Sequence, residues 1–339
     1  GWLFIAAVLA LYGLYFLAYN LRAGYPYVSY TLSAISFIML IAVPILTMRS
    51  MAEERHSRTD QLVLTAPVSL GKMIFGKFLA MVGVFTVAVA VIAVTPLVLA
   101  AFGTVPMGEN YVAVLGFWLY GCTCIAVGML ASALTESQVI AAVVAFAFLF
   151  LGYMMNSITG LIGDHLITKV LGAYDLYTPL QSFMSGCLDL TGVVYFVSVT
   201  ALCLFLTCQC VQKRRWSMTT KKLTTGMFSV AMIVVGFAVA VAVNMVVKEM
   251  PSSWTAVDAT STKLYSLTDT TKDYVKNLSQ DVTIYVLSSE KSADSTLAET
   301  LQRYEDLSKH LNVVYKDPAK SPNFYQQYTD SAPSQNSMI

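Results

Sequence analysis

Residues 111–134, YVAVLGFWLYGCTCIAVGMLASAL, form a run of 24 residues that contains no charged side chain. The hydrocarbon core of a bilayer is about 30 Å thick, and about 20 residues of apolar helix cross it. The run therefore predicts a membrane-spanning helix. The same test, applied outward in both directions, finds six more runs that pass or nearly pass, at residues 1–19, 28–48, 78–102, 137–157, 190–212 and 224–247.

The composition agrees with a multi-pass membrane protein. Hydrophobic residues make up 56% of the chain and charged residues only 12%. The first run lacks a basic segment before it and is followed by further runs, so it reads as a span rather than as a signal peptide. We expect an α-helical polytopic membrane protein with seven spans.

Lys and Arg residues flank the predicted spans unevenly, and this bias predicts the orientation. Ten lie in the second-to-third and sixth-to-seventh connections: Arg49, Arg55, Arg58, Lys72, Lys77, Lys213, Arg214, Arg215, Lys221 and Lys222. The other side carries Arg22, Lys169 and Lys248. We therefore expect a cytoplasmic amino end and place residues 248–339 outside the cytoplasm.

Sequence motifs for catalysis are absent or incomplete. Gly71 to Lys77 fits the start of a phosphate-binding loop, but Phe78 stands where a Mg²⁺-binding Ser or Thr is required, and no strand precedes it. Cys122-x-Cys124 has no second pair nearby, which favours packed thiols over a metal site. No basic patch with interleaved aromatic residues suggests nucleic acid. We predict neither an enzyme nor a nucleic-acid-binding protein.

The seven runs also contain no Asp, Glu, His or Lys. Ion-driven carriers usually keep such residues inside the membrane, where they are costly and therefore functional. An ion-coupled secondary transporter is thus disfavoured.

The connection at residues 49–77 is dense in charge up to Asp60, then turns apolar, and Ala66-Pro67 breaks the helical pattern. A charged helix beneath the membrane is a docking surface for a soluble partner in one interpretation. In the other interpretation it is a solvated loop that only enforces topology. Charge alone leaves both open.

Several motifs resemble type-2 ABC exporter permeases of the gliding-motility branch, over residues 1–216. They are Glu53-Glu54-Arg55, Arg58 to Leu62, Leu64 to Ser69, Gly76-Lys77, Gly128-x-x-x-Ser132 with the residues up to Gln138, and Phe183-x-x-Gly186-x-x-Asp189 before Tyr195. The resemblance implies six spans, a second permease copy in a homodimer or heterodimer, and a separate ABC ATPase subunit. That subunit would bind ATP and Mg²⁺, so this chain needs no cofactor.

The resemblance also implies a docking site for the ATPase and a location. The ATPase-docking residues would be Glu53, Glu54, Arg55, Arg58, Thr59, Asp60 and Gln61. The location would be the bacterial cytoplasmic membrane.

Residues 248–339 are similar to the gliding-motility auxiliary domain, in Asp258-Ala259-Thr260, Lys263 to Thr271, Asp281 to Leu287, Tyr315 to Pro318 and Ser321-Pro322. We therefore expect a permease at 1–216, a basic linker and seventh span at 217–247, and an extracytoplasmic α/β domain at 248–339. Since related chains are longer at both ends, we expect truncation there.

The residues of this last part predict α/β structure on their own. Ser266 can cap a helix whose apolar face includes Leu267, Tyr274 and Val275. A strand at 282–287, a helix at 294–309 and a strand at 311–315 predict parallel pairing through a helical crossover. The tail ends without a closing element.

These expectations define one preferred function and two alternatives. The preferred function is the permease subunit of an ATP-driven exporter with an unknown substrate. The alternatives are an ion-coupled secondary transporter and a non-transporting membrane anchor that presents the extracytoplasmic domain.

Overall fold

The computed structural model describes residues 1–57, 69–162, 171–216, 222–248, 250, 255–260, 269–278, 280–288, 293, 295–318, 321, 323–328, 334 and 337–339. Among these residues, ten α-helices lie before residue 249. They are α1 (Trp2–Phe16, continued by a π-helix at Leu17–Arg22), α2 (Ser29–Thr47), α3 (Ala52–His56), α4 (Leu70–Ile92), α5 (Thr95–Ala100), α6 (Met107–Leu134), α7 (Gln138–Ile162), α8 (Tyr177–Met184), α9 (Leu190–Trp216) and α10 (Lys222–Lys248).

Strand β1 (Cys187–Asp189) lies between α8 and α9. The C-terminal region, residues 255–339, contains β2 (Ala256–Asp258), α11 (Asp269–Lys276), β3 (Val282–Val286), α12 (Ser295–Leu307) and β4 (Leu311–Tyr315). Short 3₁₀ turns occur at Gly172–Tyr174 and Phe324–Gln327. The fold is therefore a helical bundle followed by a small α/β region, as expected.

In the described part of the chain, six helical segments are long and apolar enough to cross a membrane, which confirms six of the predicted spans. They are Trp2–Arg22, Ser29–His56, Leu70–Ala100, Met107–Leu134, Gln138–Ile162 and Leu190–Gln212.

The seventh predicted span falls on α10, whose described apolar part, Ala231–Val247, is shorter than the other six. Helix α10 packs along α9. Asn244 Nδ2 donates a hydrogen bond of 2.6 Å to Ser198 Oγ, and the Phe205 ring lies against Gly236. The seventh crossing stays a prediction.

Helix α6 is the centre of the bundle. Its apolar stretch is 89% buried, whereas the other five spans reach at most 50%. Neighbouring helices pack directly against α6 at glycine positions, where α6 has no side chain. A Cβ added at Gly116 would lie 2.2 Å from Phe183 Cβ on α8, and one at Gly128 would lie 2.2 Å from Thr47 Oγ1 on α2. Small residues let helices approach closely in a membrane, where the hydrophobic effect does not drive helix association.

Polar side chains fix the helices on either side of α6. The Thr123 hydroxyl lies 3.2 Å from Phe196 O and 3.1 Å from Thr200 Oγ1 on α9. Near the start of α6, the buried Asn110 accepts a hydrogen bond from Val28 N at 2.8 Å and donates one to Pro26 O at 3.0 Å. The loop before α2 is thereby tied to α6.

The third span, which the sequence predicted at 78–102, is built from two helices, because the helix is interrupted between Ile92 and Thr95. Proline lacks an N–H group, so Pro96 cannot pair with the Ile92 carbonyl. The Thr95 hydroxyl donates to Ile92 O at 2.7 Å instead. Tyr12 OH lies 2.7 Å from Thr95 Oγ1 and acts as donor, because the Thr95 proton is already used. The break between α4 and α5 is therefore stabilised from α1.

The α/β prediction for the C-terminal region is confirmed. Strands β3 and β4 are parallel, with Val282 opposite Leu311 and Val286 opposite Tyr315. Helix α12 forms the crossover, and its Leu301 is buried.

Two local predictions for this region were wrong, and one cannot be followed. Tyr274, predicted to pack, is 75% exposed, while Val275 is buried. The tail does pair, because Ile339 and Tyr285 exchange backbone hydrogen bonds of 2.8 and 2.9 Å beside β3. The predicted helix cap at Ser266 lies outside the described residues.

The packing at Gly116 predicts a selective loss of stability. In Gly116→Ala the new methyl group overlaps Phe183 Cβ, which is fixed to the α8 backbone, so α8 must shift at a cost of about 1–3 kcal/mol. The matched control is Gly83→Ala on α4, which meets no atom within 4 Å and gains about 0.5–1 kcal/mol of helix propensity. Thermal unfolding of the purified chain in detergent measures both. Equal midpoints for the two variants would contradict this packing.

Candidate functional site

Helix α3 is a five-residue helix that lies at the end of α2. Glu53 and Glu54 occupy its first turn and Arg55 and His56 its last. This order matches the helix dipole, which favours acidic residues at the start and basic residues at the end. So short a helix is not stable alone and depends on contacts with the rest of the protein.

Ser132 of α6 provides the first of these contacts. Its Oγ accepts hydrogen bonds of 3.1 Å from both Met51 N and Ala52 N, and it donates one of 3.1 Å to Met48 O. A hydroxyl has one proton and two lone pairs, so all its hydrogen-bonding capacity is used. Ser132 is fully buried, and no side chain of α3 caps the helix start. A distant residue thus caps α3.

Lys77 of α4 provides the second contact. Its ammonium group pairs with the Glu54 carboxylate, donates to Ser50 O at 3.1 Å, and lies 3.8 Å from Met51 Sδ. A single cation therefore joins α4 to α3 and to the residues just before it.

Arg55 provides the third contact. Its Nη2 lies 2.8 Å from Glu136 Oε1, in the turn between α6 and α7, and its Nη1 donates to Leu134 O at 3.5 Å. The Glu136 side chain is 62% exposed, so this ion pair adds at most about 1 kcal/mol to stability. Its effect is to orient α3 against the end of α6.

Two residues of α6 and the turn that follows it make these contacts. Gly128 and Ser132 are four residues apart, so they lie on one face of α6, and Glu136 lies in the turn just after the helix ends at Leu134. Gly128 receives Thr47, Ser132 caps α3, and Glu136 pairs with Arg55. The sequence motif at 128–136 therefore forms the surface against which α3 packs.

The predicted docking residues have different positions. Glu54 and Arg55 make the internal ion pairs, whereas Glu53 is exposed. His56, which was not among the predicted docking residues, is exposed as well. Arg58, Thr59, Asp60 and Gln61 lie outside the described residues. Sequence reasoning did not assign roles to Ser132 and Lys77, although both lie in motifs that carried the resemblance. For Ser132, the signal in the sequence was its spacing of four residues from Gly128.

Other candidate sites have structural roles. Gly71 to Lys77 lies in helix α4, so it forms no phosphate-binding loop. Cys122 and Cys124 are buried on α6. The described residues contain no group of three or more His, Cys, Asp or Glu side chains that could hold a metal ion.

Acidic residues at the opposite end of the bundle act as helix caps. Asp175 Oδ1 accepts from Tyr177 N at 3.0 Å and Thr178 N at 3.2 Å at the start of α8, and Asp189 Oδ1 accepts from Thr191 N at 2.8 Å in α9. Beside them, burial raises the pKa of the Tyr174 phenol, which therefore stays neutral.

The Ser132 cap generates a stability prediction. Ser132→Ala leaves two buried backbone N–H groups without their acceptor, which costs about 1–3 kcal/mol. Deuterium exchange should then rise in α3. The control is Ser321→Ala, which changes an exposed residue in the C-terminal region and should change stability by less than about 0.5 kcal/mol. Thermal unfolding and exchange of the full chain measure both variants, and an unchanged α3 in Ser132→Ala would refute the cap.

Comparison with known proteins agrees with this arrangement. A family model described as ABC-2 family transporter protein matches residues 22–211, more than half of the chain. A second model, a domain of unknown function (DUF7088), matches residues 261–337. No curated protein and no solved structure gives a match. The first match covers α2 to α9 almost completely, including α3 and its contacts. The chain is therefore a multi-pass membrane protein that belongs to the ABC-2 transporter family.

Proposed function

We propose that this chain is the permease subunit of an ATP-driven exporter and that a separate ATPase subunit docks on α3. The observation that carries the proposal is the way in which α3 is held. Helix α3 is charged and is fixed to α6, to α4 and to the α6–α7 turn, while its Glu53 and His56 side chains stay exposed. The chain also belongs to a family whose permeases work with an ATPase subunit.

The attachment of α3 suits the transmission of force. A push on α3 acts on α6 through Ser132 and Arg55, and on α4 through the pairing of Lys77 with Glu54. Because α6 is the most buried span, its movement would displace several neighbours together. ATP-driven closure of the ATPase would in this way move the spans.

The distribution of charge supports an external energy source. In the six apolar segments the charged residues lie near the ends, such as Arg22, Lys72, Lys77 and Glu109. Proton- or sodium-driven transport would need titratable groups deeper in the bundle. This favours the exporter over the ion-coupled carrier.

The proposal extends to orientation and partners. The excess of Lys and Arg at the α3 end supports a cytoplasmic location for that end and an extracytoplasmic location for residues 248–339. ATP and Mg²⁺ would be bound by the partner subunit, and a second permease copy would complete the transporter. The bacterial cytoplasmic membrane, the gliding-motility branch and the auxiliary character of residues 248–339 rest on the resemblance alone.

Charge reversal on the exposed face of α3 tests the proposal. Glu53→Lys changes a side chain that makes none of the three internal contacts, so the fold should persist while binding of the ATPase weakens about tenfold. Lys276→Glu, an exposed reversal in α11, is the control and should bind normally. The measurements are co-purification of a subunit with a complete phosphate loop and its ATP hydrolysis. Equal association of both variants would refute docking on α3.

A further inference from the structure

The C-terminal region is joined to the bundle by its first described segment, residues 255–260, which we name the strap. Strand β2 within the strap pairs antiparallel with β1, with Cys187, Leu188 and Asp189 opposite Asp258, Val257 and Ala256. Ala259 N donates to Gly186 O at 3.2 Å and extends this pairing. Thr255 and Thr260, at the two ends of the strap, are buried. The strap is therefore seated on the bundle rather than only tethered by α10.

Two glycines make room for the strap. A Cβ at Gly108, in the first turn of α6, would lie 2.7 Å from Ala259 O. Gly186 has a φ of +83°, which favours glycine, and a Cβ there would lie 2.8 Å from Glu109 Cγ of α6 and 3.3 Å from Thr260 Cγ2 of the strap. The strap thus fits against the backbone of α6 on one side and the turn before β1 on the other.

The two sites that the strap contacts are connected to different helices. Strand β1 ends at Asp189 and α9 begins at Leu190, so no flexible residue separates them. Gly108 belongs to α6. A change in the angle between α6 and α9 would therefore shear the strap.

The rest of the C-terminal region follows the strap. Arg303 of α12 has its Nη2 at 3.9 Å from Cys187 Sγ on β1. This second contact places α12 beside the same strand that holds the strap. Movement of β1 would then reach both the strap and α12.

We propose that the strap couples the position of the C-terminal region to the relative positions of α6 and α9 during transport. The inference rests on the proposed function, because ATP-driven movement of the spans is what the strap would transmit. In this proposal the C-terminal region moves with the cycle and is not a passive attachment.

The first test disrupts the contact between Gly108 and the strap, and it does not require the ATPase. Gly108→Val drives a side chain into Ala259 O, whereas Gly103→Val, five residues earlier, meets no atom within 4 Å. Hydrogen exchange of the full chain should rise in 255–260, in α12 and in the first turn of α9 for Gly108→Val only. Increased exchange confined to 255–260 would overturn the coupling.

The second test locks the strap. Leu188→Cys with Val257→Cys places thiols at directly opposite positions of an antiparallel pair, within disulfide range. Oxidation should give an internal disulfide in the double variant and in neither single variant. Because a change in the angle between α6 and α9 shears the strap, the disulfide opposes that change. In the complex with the ATPase, ATP turnover should therefore fall about fivefold or more and recover on reduction.

The outcomes of this second test separate the two proposals. Failure of the disulfide to form means that the strap is not docked, and unchanged turnover in the locked complex means that it does not follow the cycle. Either result overturns the inference and leaves the exporter proposal standing. Absence of ATP turnover in the unaltered complex contradicts the exporter proposal itself.

Discussion

The close packing of α6 is the constraint on which the bundle depends. A membrane span normally shows one face to lipid, but most of α6 is enclosed by protein. This is sterically feasible because α6 has glycine where Phe183 of α8 and Thr47 of α2 pack against it, at Gly116 and Gly128. Between lipid-facing helices the hydrophobic effect gives little drive to associate, so close van der Waals contact and interhelical hydrogen bonds such as that of Thr123 set the arrangement.

The same helix also builds the candidate site. Ser132 lies one turn beyond Gly128, and it caps α3 with a hydroxyl whose hydrogen bonds are all used. Stability and the proposed docking are therefore linked at the end of α6: the residue that satisfies the backbone of α3 is part of the core, while Glu53 of α3 is exposed. A helix held in this way can transmit a displacement, whereas a solvated loop would absorb it.

The sequence predicted the features that depend on length, period and local chemistry. Six apolar segments and the β3–α12–β4 unit were correct for that reason. Features that depend on distant contacts were not predicted. The hydrogen bond between Tyr12 and Thr95 joins residues that are far apart in the sequence. The same is true of the ion pairs that Glu54 makes with Lys77 and Arg55 makes with Glu136. Since the spans are apolar on every side, periodicity does not reveal which face of α6 meets which neighbour.

The central claim is that an ATPase drives the bundle through α3. A cryo-electron microscopy structure of the full chain, purified in complex with its ATPase, tests this claim most directly. The account predicts that the side chains of Glu53 and His56 are covered by the ATPase, while the Ser132 cap and the Arg55–Glu136 pair stay intact. An ATPase bound elsewhere, with α3 facing solvent, would contradict it.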